Sequence, residues 1–309
     1  MELNNQIGIK DLTCTLKFNQ PAGILYYLKS NYNLLPKDED GYGSIDINPV
    51  QKIVHLQSHR VSGSYRKEQT EDLKRFGIDH SEIIKSTLKE EMIRMEEKDI
   101  YNNFLNLGQE SEIKERTKFQ TLMNKWFGFS PKVMIKEDSD ILNLVFKSSQ
   151  KILRKTRLRA GDFIIVNSAI GSRITSIPDF VYSPNVSSAA HQTVSTSMGI
   201  TQIGTIRGIR VFVNLYLGYK DLKVIVGSTT KEQEPGVYFV ESEGEEMDEM
   251  ELFPGLESKI ILIKRRTVVD TENAGDKFYT LELSFKRHNI FTHLFQKIKD
   301  ETVSLIKKK

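Results

Sequence analysis

Residues 58–107 read SHRVSGSYRKEQTEDLKRFGIDHSEIIKSTLKEEMIRMEEKDIYNNFLNL, and this is the most informative stretch of the chain. It begins as an extended, basic segment and continues as a long helix rich in paired acids and bases. The helical part carries apolar residues at the spacing of one helix face: Ile84, Leu88, Met92 and Met95. Asp79 and Glu82 precede that series three residues apart, as an N-cap and its reciprocal partner do, and Gly108 closes it. The stretch therefore predicts a strand, a turn and a long amphipathic helix.

The composition fits a soluble globular chain and excludes several classes of protein. A length of 309 residues, with 39% hydrophobic and 28% charged residues, suits one large domain or two intimately packed ones. No run approaches the roughly 20 apolar residues that span a bilayer, and residues 1–5 are too polar to open a secretory signal. The single cysteine, Cys14, excludes a disulfide framework and a four-cysteine zinc site, so we expect synthesis in a reducing compartment.

The charged residues are segregated along the chain although the net charge is only +3. Residues 147–159 contain six bases and no acid, whereas residues 241–251 contain seven acids and no base. In a monomer these blocks would be two solvated faces. In a self-assembling protein, a basic patch of one subunit could meet an acidic segment of its neighbour.

Hydrophobic alternation and turn residues predict the remaining elements. Strands are expected at 13–18, 24–28, 53–56, 60–66, 163–166, 209–215, 223–226, 237–240, 259–269 and 279–285. We expect the first two strands to pair across a turn at 19–23. Helices are expected at 112–126, 140–159, 170–177 and 290–306. Ser139 is the expected N-cap of the helix at 140–159, and the Ser/Thr-rich residues 183–201 are predicted to form a long loop.

The sequence offers no pattern typical of an active site. The glycines of residues 199–208 lack the GxxxxGK[ST] spacing of a phosphate loop, and no HExxH, CxxC or GxSxG occurs. His55 and His59 are four apart, but in extended chain that spacing does not form a chelate. We therefore predict no catalytic residue, no cofactor and no metal site, and we expect that the protein is not an enzyme.

Clustered carboxylates can bind a metal ion, and the long helix contains four glutamates close together: Glu90, Glu91, Glu96 and Glu97. Arg94 and Lys98 interleave with them at the i,i+4 spacing of helical ion pairs. A solvated helix face is therefore favoured over a metal site.

The order of these segments resembles the major capsid proteins of T-even-like tailed phages. The resemblance extends over roughly residues 15–285 and is carried by the following segments: 18–28 (FNQPAGILYYL), 71–79 (EDLKRFGID) with the helix after it, 139–165 ending RLRAGDFII, 199–216, 224–227, 235–239 and 259–268. Each segment alone is weakly specific, and their common order makes the case.

The resemblance implies a mixed α/β (α+β) structure of the Hong Kong 97-type capsid fold. Its expected parts are a short N-terminal segment at 1–9, an extended loop at 10–66, a peripheral domain at 67–165 with a long spine helix at 140–159 and late strands at about 258–288, an axial domain at 166–257, and a C-terminal amphipathic helix at 289–309. Two features depart from the family's pattern, because its long N-terminal region is almost missing here and the C-terminal helix has no counterpart.

The function implied by the resemblance is a structural subunit that self-assembles into hexamers and pentamers of a tailed-phage capsid around the viral genome. Two alternatives stay open: a nucleic-acid-binding protein that uses residues 147–159 with the tail at 307–309, and an encapsulin-like compartment shell protein. The expected partners are further copies of the chain, with other capsid, vertex, portal or decoration proteins as additional candidates. We expect only non-specific proximity to the genome, no membrane, and a location in the virion after synthesis in the host cytoplasm.

The candidate residues for contacts between subunits follow from the extended loop and the charge blocks: Asp38, Glu39, Asp40, Tyr42, Arg60, Arg66, Arg154, Arg157, Glu245 and Glu246. We expect the acidic tip of the extended loop, Asp38, Glu39 and Asp40, to lie near basic residues of an adjacent subunit. We also expect residues 241–251 to be exposed. Single exposed ion pairs contribute only about 0–1 kcal/mol. We therefore expect charge to set register while Tyr26, Tyr27 and Tyr42 supply apolar burial.

Overall fold

A computed structural model describes residues 8–31, 46–110, 133–135, 137–183, 199–230, 236–253 and 256–285. The strands are β1 Cys14–Phe18, β2 Ala22–Asn31, β3 Asp46–His55, β4 Gln57–Arg66, β5 Gln109–Glu110, β6 Val133–Ile135, β7 Phe163–Asn167, β8 Phe180–Tyr182, β9 Ile200–Ile206, β10 Ile209–Asn214, β11 Lys223–Gly227, β12 Val237–Ser242, β13 Glu246–Phe253, β14 Glu257–Asp270 and β15 Phe278–Phe285. The helices are α1 Lys67–Arg75, α2 His80–Leu107, α3 Asp138–Thr156 and α4 Ser168–Thr175, with 3₁₀ helices at Ile9–Leu12 and Ala274–Lys277.

The long helix α2 confirms the central prediction. The Asp79 carboxylate accepts hydrogen bonds from the backbone N–H groups of Ser81 at 3.0 Å and Glu82 at 3.3 Å. Gly108 ends the helix with φ −61°, outside the left-handed region. A side chain at Gly108 would collide with Thr280 of β15, so close packing requires the glycine there. With 28 residues, α2 is about 40 Å long, enough to lie along two sheets.

The larger sheet has eight strands in the order β5-β15-β11-β7-β10-β9-β8, with β6 also paired to β15. Helices α3 and α4 cover one face, where Ile141, Val145 and Ile152 of α3 join a cluster with Ile164 and Val211. The other face packs against the C-terminal half of α2, the 3₁₀ helix at Ile9–Leu12 and part of β12. This sheet is therefore buried on both faces, which accounts for the wholly apolar run Phe163–Val166 in β7.

The predicted helix at 140–159 is present as α3, but both of its ends differ from the prediction. Glu137, not Ser139, is the N-cap, because the Asp140 carboxylate bonds back to the Glu137 N–H at 3.1 Å. Arg157 ends the helix in the left-handed conformation with φ 54°, before the predicted end at 159.

The division into peripheral and axial domains stays a prediction. The helix assigned to the peripheral domain, α3, packs on β7 and β10, which lie on both sides of the predicted boundary at residues 165 and 166. The longest described helix is α2 rather than α3, and it is α2 that lies along both sheets.

The smaller sheet has five strands in the order β1-β12-β14-β13, with β4 on the other side of β14. The N-terminal half of α2 packs on it through a cluster of Tyr65, Leu88, Met92, Ile260 and Leu262. Helix α2 therefore joins the two sheets, since its two halves belong to different hydrophobic clusters.

The predicted pairing of the first two strands is wrong. β1 pairs in parallel with β12, Cys14 lying opposite Tyr238, whereas β2 pairs with β3 in a separate antiparallel hairpin. Alternation shows that a segment is a strand but does not identify its partner. The hairpin occupies Ala22–His55 within the loop predicted at 10–66, and its tip, residues 32–45, lies outside the described residues.

The structure differs from two further predictions. The acidic segment 241–251 is mostly the strand β13, and Glu241 at the end of β12 is only 9% exposed instead of solvated. β9 begins at Ile200, inside the predicted loop at 183–201. The predicted helices at 112–126 and 290–306 lie outside the described residues.

Candidate subunit interface

The five-stranded sheet has two different faces because the side chains of β14 alternate. Ile260, Leu262 and Arg266 point toward α2 and are buried. Ile261 and Ile263 point the other way and are only partly buried. We call the side toward α2 the inner face and the opposite side the outer face.

The root of the β2–β3 hairpin covers one part of the outer face. Leu25, Tyr27 and Val54 of the hairpin form a cluster with Tyr238 of β12 and Val269 of β14. The Lys52 ammonium also donates a hydrogen bond to the Asp270 carbonyl at 2.8 Å. Tyr27 is only 6% exposed, so the prediction that it contacts a neighbouring subunit is wrong.

The other face of the hairpin is apolar and exposed. Its large side chains, with their exposed fractions, are Ile24 at 50%, Tyr26 at 62%, Leu28 at 48% and Ile53 at 69%. Ile24 lies directly opposite Ile53 across the hairpin, so the exposed side chains are neighbours. A two-stranded hairpin is marginally stable by itself. A contiguous apolar strip on such an element is typical of a contact with another protein surface.

The rest of the outer face forms what we call the open sheet face, whose side chains are exposed or partly buried. It consists of Arg60, Ser62, Ser64 and Arg66 on β4, Lys259, Ile261 and Ile263 on β14, and Glu246, Asp248 and Met250 on β13. Ile263 lies between Arg60 on one side and Glu246 on the other. The surface therefore has arginines on one edge, acids on the other edge, and two isoleucines together with Lys259 in its centre.

The structure brings together some of the predicted interface residues and not others. Arg60, Arg66 and Glu246 share the open sheet face. Glu245 is exposed but does not belong to that face, because it lies 3.8 Å from the Lys264 ammonium of the inner side. Arg154 and Arg157 are exposed at the end of α3, on the larger sheet. The acidic loop tip and Tyr42 lie outside the described residues: Asp38, Glu39, Asp40 and Tyr42.

Beneath the inner face lies a buried ionic cluster that the sequence interpretation missed. The Glu96 side chain, 1% exposed, contacts the ammonium groups of Lys10 and Lys264 and the guanidinium of Arg266. Its carboxylate lies 3.1 Å from the Lys264 nitrogen and 3.3 Å from Arg266 Nη1. Glu96 continues the apolar series of Leu88 and Met92 at helical spacing, and a charge on that stripe was the available signal.

Two further carboxylates balance the cluster. Lys264 also contacts Glu241 at 2.9 Å, and Arg266 contacts Asp99 at 2.9 Å. Burial by itself raises the pKa of Glu96, but Lys10 and then Lys264 outweigh it, so the pKa is lowered. Burial by itself lowers the pKa of Lys264, but Glu241 and Glu96 outweigh it, so that pKa is raised. Both groups are therefore charged at neutral pH, and the cluster joins α2 to β12, β14 and the N-terminal 3₁₀ helix.

The neighbouring Glu97 points to the larger sheet. Its carboxylate accepts hydrogen bonds from the Ile200 N–H at 3.2 Å and the Tyr216 hydroxyl at 2.9 Å. Burial raises the pKa of Glu97 and outweighs the hydrogen bond from Tyr216. Only Glu90 and Glu91 match the predicted solvated face, since both are exposed and Glu91 pairs with Arg94 at 3.1 Å.

The described residues contain no group of three His, Cys, Asp or Glu side chains that could hold a metal ion. In the same residues no helix is long and apolar enough to cross a bilayer.

The sequence profile of the family described as Major capsid protein Gp23 matches residues 39–240, more than half of the chain. The chain belongs to this family. A comparison with curated proteins found no significant match. The predicted capsid resemblance is thereby confirmed, and the protein is a structural subunit of a phage capsid shell, located in the virion. The family match also favours the capsid over the encapsulin-like alternative.

Solved structures resemble the chain in fold at very low sequence identity. The capsid of a native GTA particle has a TM-score of 0.53 and 8% identity, covering 92% of this chain and 95% of that chain. The capsid of Cyanophage P-SCSP1u has a TM-score of 0.52 and 7% identity, covering 93% and 91%. A virus-like particle from Pyrococcus furiosus has a TM-score of 0.49 and 14% identity, covering 90% and 94%. The mixed α/β, Hong Kong 97-type fold is confirmed.

In a member of this capsid family, the functional surfaces are those that contact other copies of the chain. The family implies self-assembly into oligomeric capsomers. The apolar face of the hairpin and the open sheet face are therefore the candidate functional sites. The basic block on α3 is partly engaged within the subunit, because Lys155 lies 3.5 Å from Asp276 and the ammonium groups of Lys151 and Lys155 lie over the Tyr279 ring.

Proposed function

We propose that the β2–β3 hairpin fastens each subunit to an adjacent copy within hexamers and pentamers, and that these close a shell around the viral genome. The proposal rests on the difference between the two sides of the hairpin. One side is buried against its own subunit through Leu25, Tyr27 and Val54, and the other side exposes Ile24, Tyr26, Leu28 and Ile53. The first side fixes the direction of the hairpin, and the second offers apolar area to a neighbour.

The magnitudes favour apolar burial as the source of cohesion. Fully burying one large apolar side chain contributes about 1.5–3 kcal/mol, whereas an exposed ion pair contributes about 0–1 kcal/mol. The charges of the loop tip at Asp38, Glu39 and Asp40 accordingly act on orientation and register. That the tip meets basic residues of the neighbour stays a prediction.

The remaining parts of the proposal concern role and partners. The protein acts by assembly and carries out no catalysis, and it is made in the host cytoplasm before entering the particle. Its additional partners are other capsid, vertex, portal or decoration proteins, and it meets the genome only through non-specific proximity. The alternative function is specific nucleic-acid binding by the basic face of α3. It requires a binding affinity that depends steeply on the salt concentration, and this dependence should become weaker when Lys151, Arg154 and Arg157 are replaced by alanine.

Replacing Ile24, Tyr26 and Ile53 together with serine should abolish assembly while the isolated subunit stays folded. The three side chains are at least half exposed in the subunit, so their loss costs little until a neighbour covers them. Light scattering and electron microscopy would measure particle formation, and circular dichroism would measure folding.

Ile93→Ser is the matched control, because Ile93 on α2 is 50% exposed, as is Ile24. It removes about as much exposed apolar area as the change at Ile24 alone, at a site away from the hairpin, and should leave assembly unchanged. Normal particles from the triple variant would show that the hairpin does not hold neighbours together.

A further inference from the structure

The five-stranded sheet has two open edges on opposite sides of β14. In the described part of the chain, β4 with ten residues and β13 with eight residues each pair with β14 alone. An open edge presents unpaired N–H and C=O groups, which form a ladder with any strand placed beside them. Native proteins commonly shorten or cover such edges, or place charges on them.

The two open edges carry opposite charge. β13 contains four acids and no base: Glu246, Asp248, Glu249 and Glu251. β4 contains Arg60 and Arg66 and no acid, with small serines between them. In the described residues, Arg60 and Arg66 form no ion pair, and both are exposed. On the acidic edge, Glu246 lies 3.4 Å from Arg265 of β14, and Asp248 is exposed. The two arginines on the β4 edge are therefore available to form ion pairs with acidic residues of another copy.

The charge pattern selects one pairing among the three that are possible between two copies. Placing β13 beside β13 would align acids, and placing β4 beside β4 would align arginines, and like charges on adjacent strands are destabilising. Only β13 beside β4 brings opposite charges together. That contact uses two different patches of one subunit, which is the heterologous geometry that builds rings and lattices.

We propose that β13 of one subunit pairs with β4 of the next, so that the small sheet continues from copy to copy. This inference rests on the proposed assembly of the chain and names a second contact, separate from the hairpin. Main-chain hydrogen bonds along the two edges supply the cohesion, as in other strand additions. The opposite charges set which edges meet and in what register.

Charge reversal tests the pairing through complementation. On the open sheet face, E246K/D248K gives both edges of a subunit basic side chains, and R60E/R66E gives both edges acidic ones. Each variant alone should need at least about tenfold more protein to form oligomers, because every junction would align like charges. An equimolar mixture should restore oligomers at the wild-type concentration, because each junction can then join a basic edge to an acidic one. Sedimentation velocity would measure the size of the oligomers. The formation of closed particles is not a suitable measure, because two variants that alternate strictly cannot close a five-membered ring.

The control is E90K/E91K, which makes the same charge change on the exposed face of α2. By itself it should form oligomers at the wild-type concentration, because both of its sheet edges are unchanged. Circular dichroism verifies that every variant is folded. The proposal is overturned if either reversed pair oligomerises alone as the wild type does, or if two folded, defective variants stay separate when mixed.

These failures differ from a failure of the proposed function. If the reversed variants form normal particles while the hairpin triple variant does not, the shell role stands and only the edge pairing is wrong. If the wild type itself never associates, both proposals are wrong.

Discussion

Glu96→Gln should destabilise the folded subunit by about 3 kcal/mol or more, the cost of breaking a buried ion cluster by removing one partner. The substitution keeps the shape of the side chain but leaves Lys10, Lys264 and Arg266 with one carboxylate fewer at a site that is 1% exposed. Urea denaturation of the unassembled subunit would measure the change in the free energy of unfolding.

Glu97→Gln is the matched control one residue along the same helix. Glu97 accepts hydrogen bonds from Ile200 and Tyr216, and a glutamine oxygen can accept both. Since burial already raises the pKa of Glu97, its charge is disfavoured, and the substitution should cost less than about 1 kcal/mol. Equal losses of stability in the two variants would contradict the assignment of Glu96 as the centre of the cluster.

The same pair of variants has a pH signature. The pKa of Glu96 is lowered in the folded state, so its contribution is present above the usual value of 4.5 and is lost as the pH falls through the folded pKa. The difference in stability between the wild type and Glu96→Gln should therefore shrink on acidification. The pKa of Glu97 is raised, so any contribution from that group has the opposite sign and is lost as the pH rises. A difference that is constant from pH 7 to acid would contradict the ionic origin.

Phe104→Ala should cost about 3–5 kcal/mol, as large-to-small changes of buried aromatic residues do. Phe104 is fully buried at the C-terminal end of α2, with its ring centroid 4.7 Å from that of Phe278 and 5.8 Å from that of Phe163. It joins the helix to the larger sheet, so the cavity would open at the point where α2 holds that sheet. Thermal or urea unfolding would measure the loss.

Phe76→Ala removes the same atoms from a side chain that is 79% exposed, and it should change stability by less than about 0.5 kcal/mol. A small effect at Phe104 would mean that α2 is not the element that joins the two sheets.

Local signals in the sequence were sufficient for α2 and for most strands. The cap at Asp79 depends on residues within one helical turn, so the pattern around residues 58–107 contained it. Gly108 ends the helix as predicted, but the structure requires a glycine there for packing against the distant Thr280. The strand predicted at 259–269 is β14, Glu257–Asp270, because this long segment is rich in Ile, Val and Thr and contains no Gly or Pro. The order of these segments also led to the correct family.

Pairing partners could not be predicted, because they depend on residues far apart in the chain. Cys14 lies beside Tyr238, and nothing near residue 14 specifies a strand more than two hundred residues away. β13 was predicted only as part of an exposed acidic segment, because residues 241–251 contain seven acids and no base. Asp and Glu are depleted in strands, but an exposed edge tolerates them. Strand formation there follows from the long partner β14 rather than from the composition of β13.

The candidate interface was predicted in part for the same reason. Arg60, Arg66 and Glu246 were chosen for their charge, and only the register of β4, β14 and β13 places them on one surface. The apolar strip of the hairpin was missed except for Tyr26, because a one-residue change of parity decides which side of a strand is exposed. Tyr27, chosen with it, therefore lies on the buried side.

Electron microscopy of the purified chain under assembly conditions would show whether this protein is the subunit of a closed shell. We expect closed particles built of hexamers and pentamers, with the β2–β3 hairpin of each subunit lying on an adjacent copy. A protein that stays a monodisperse monomer at every salt and protein concentration, and that is absent from any particle, would contradict it.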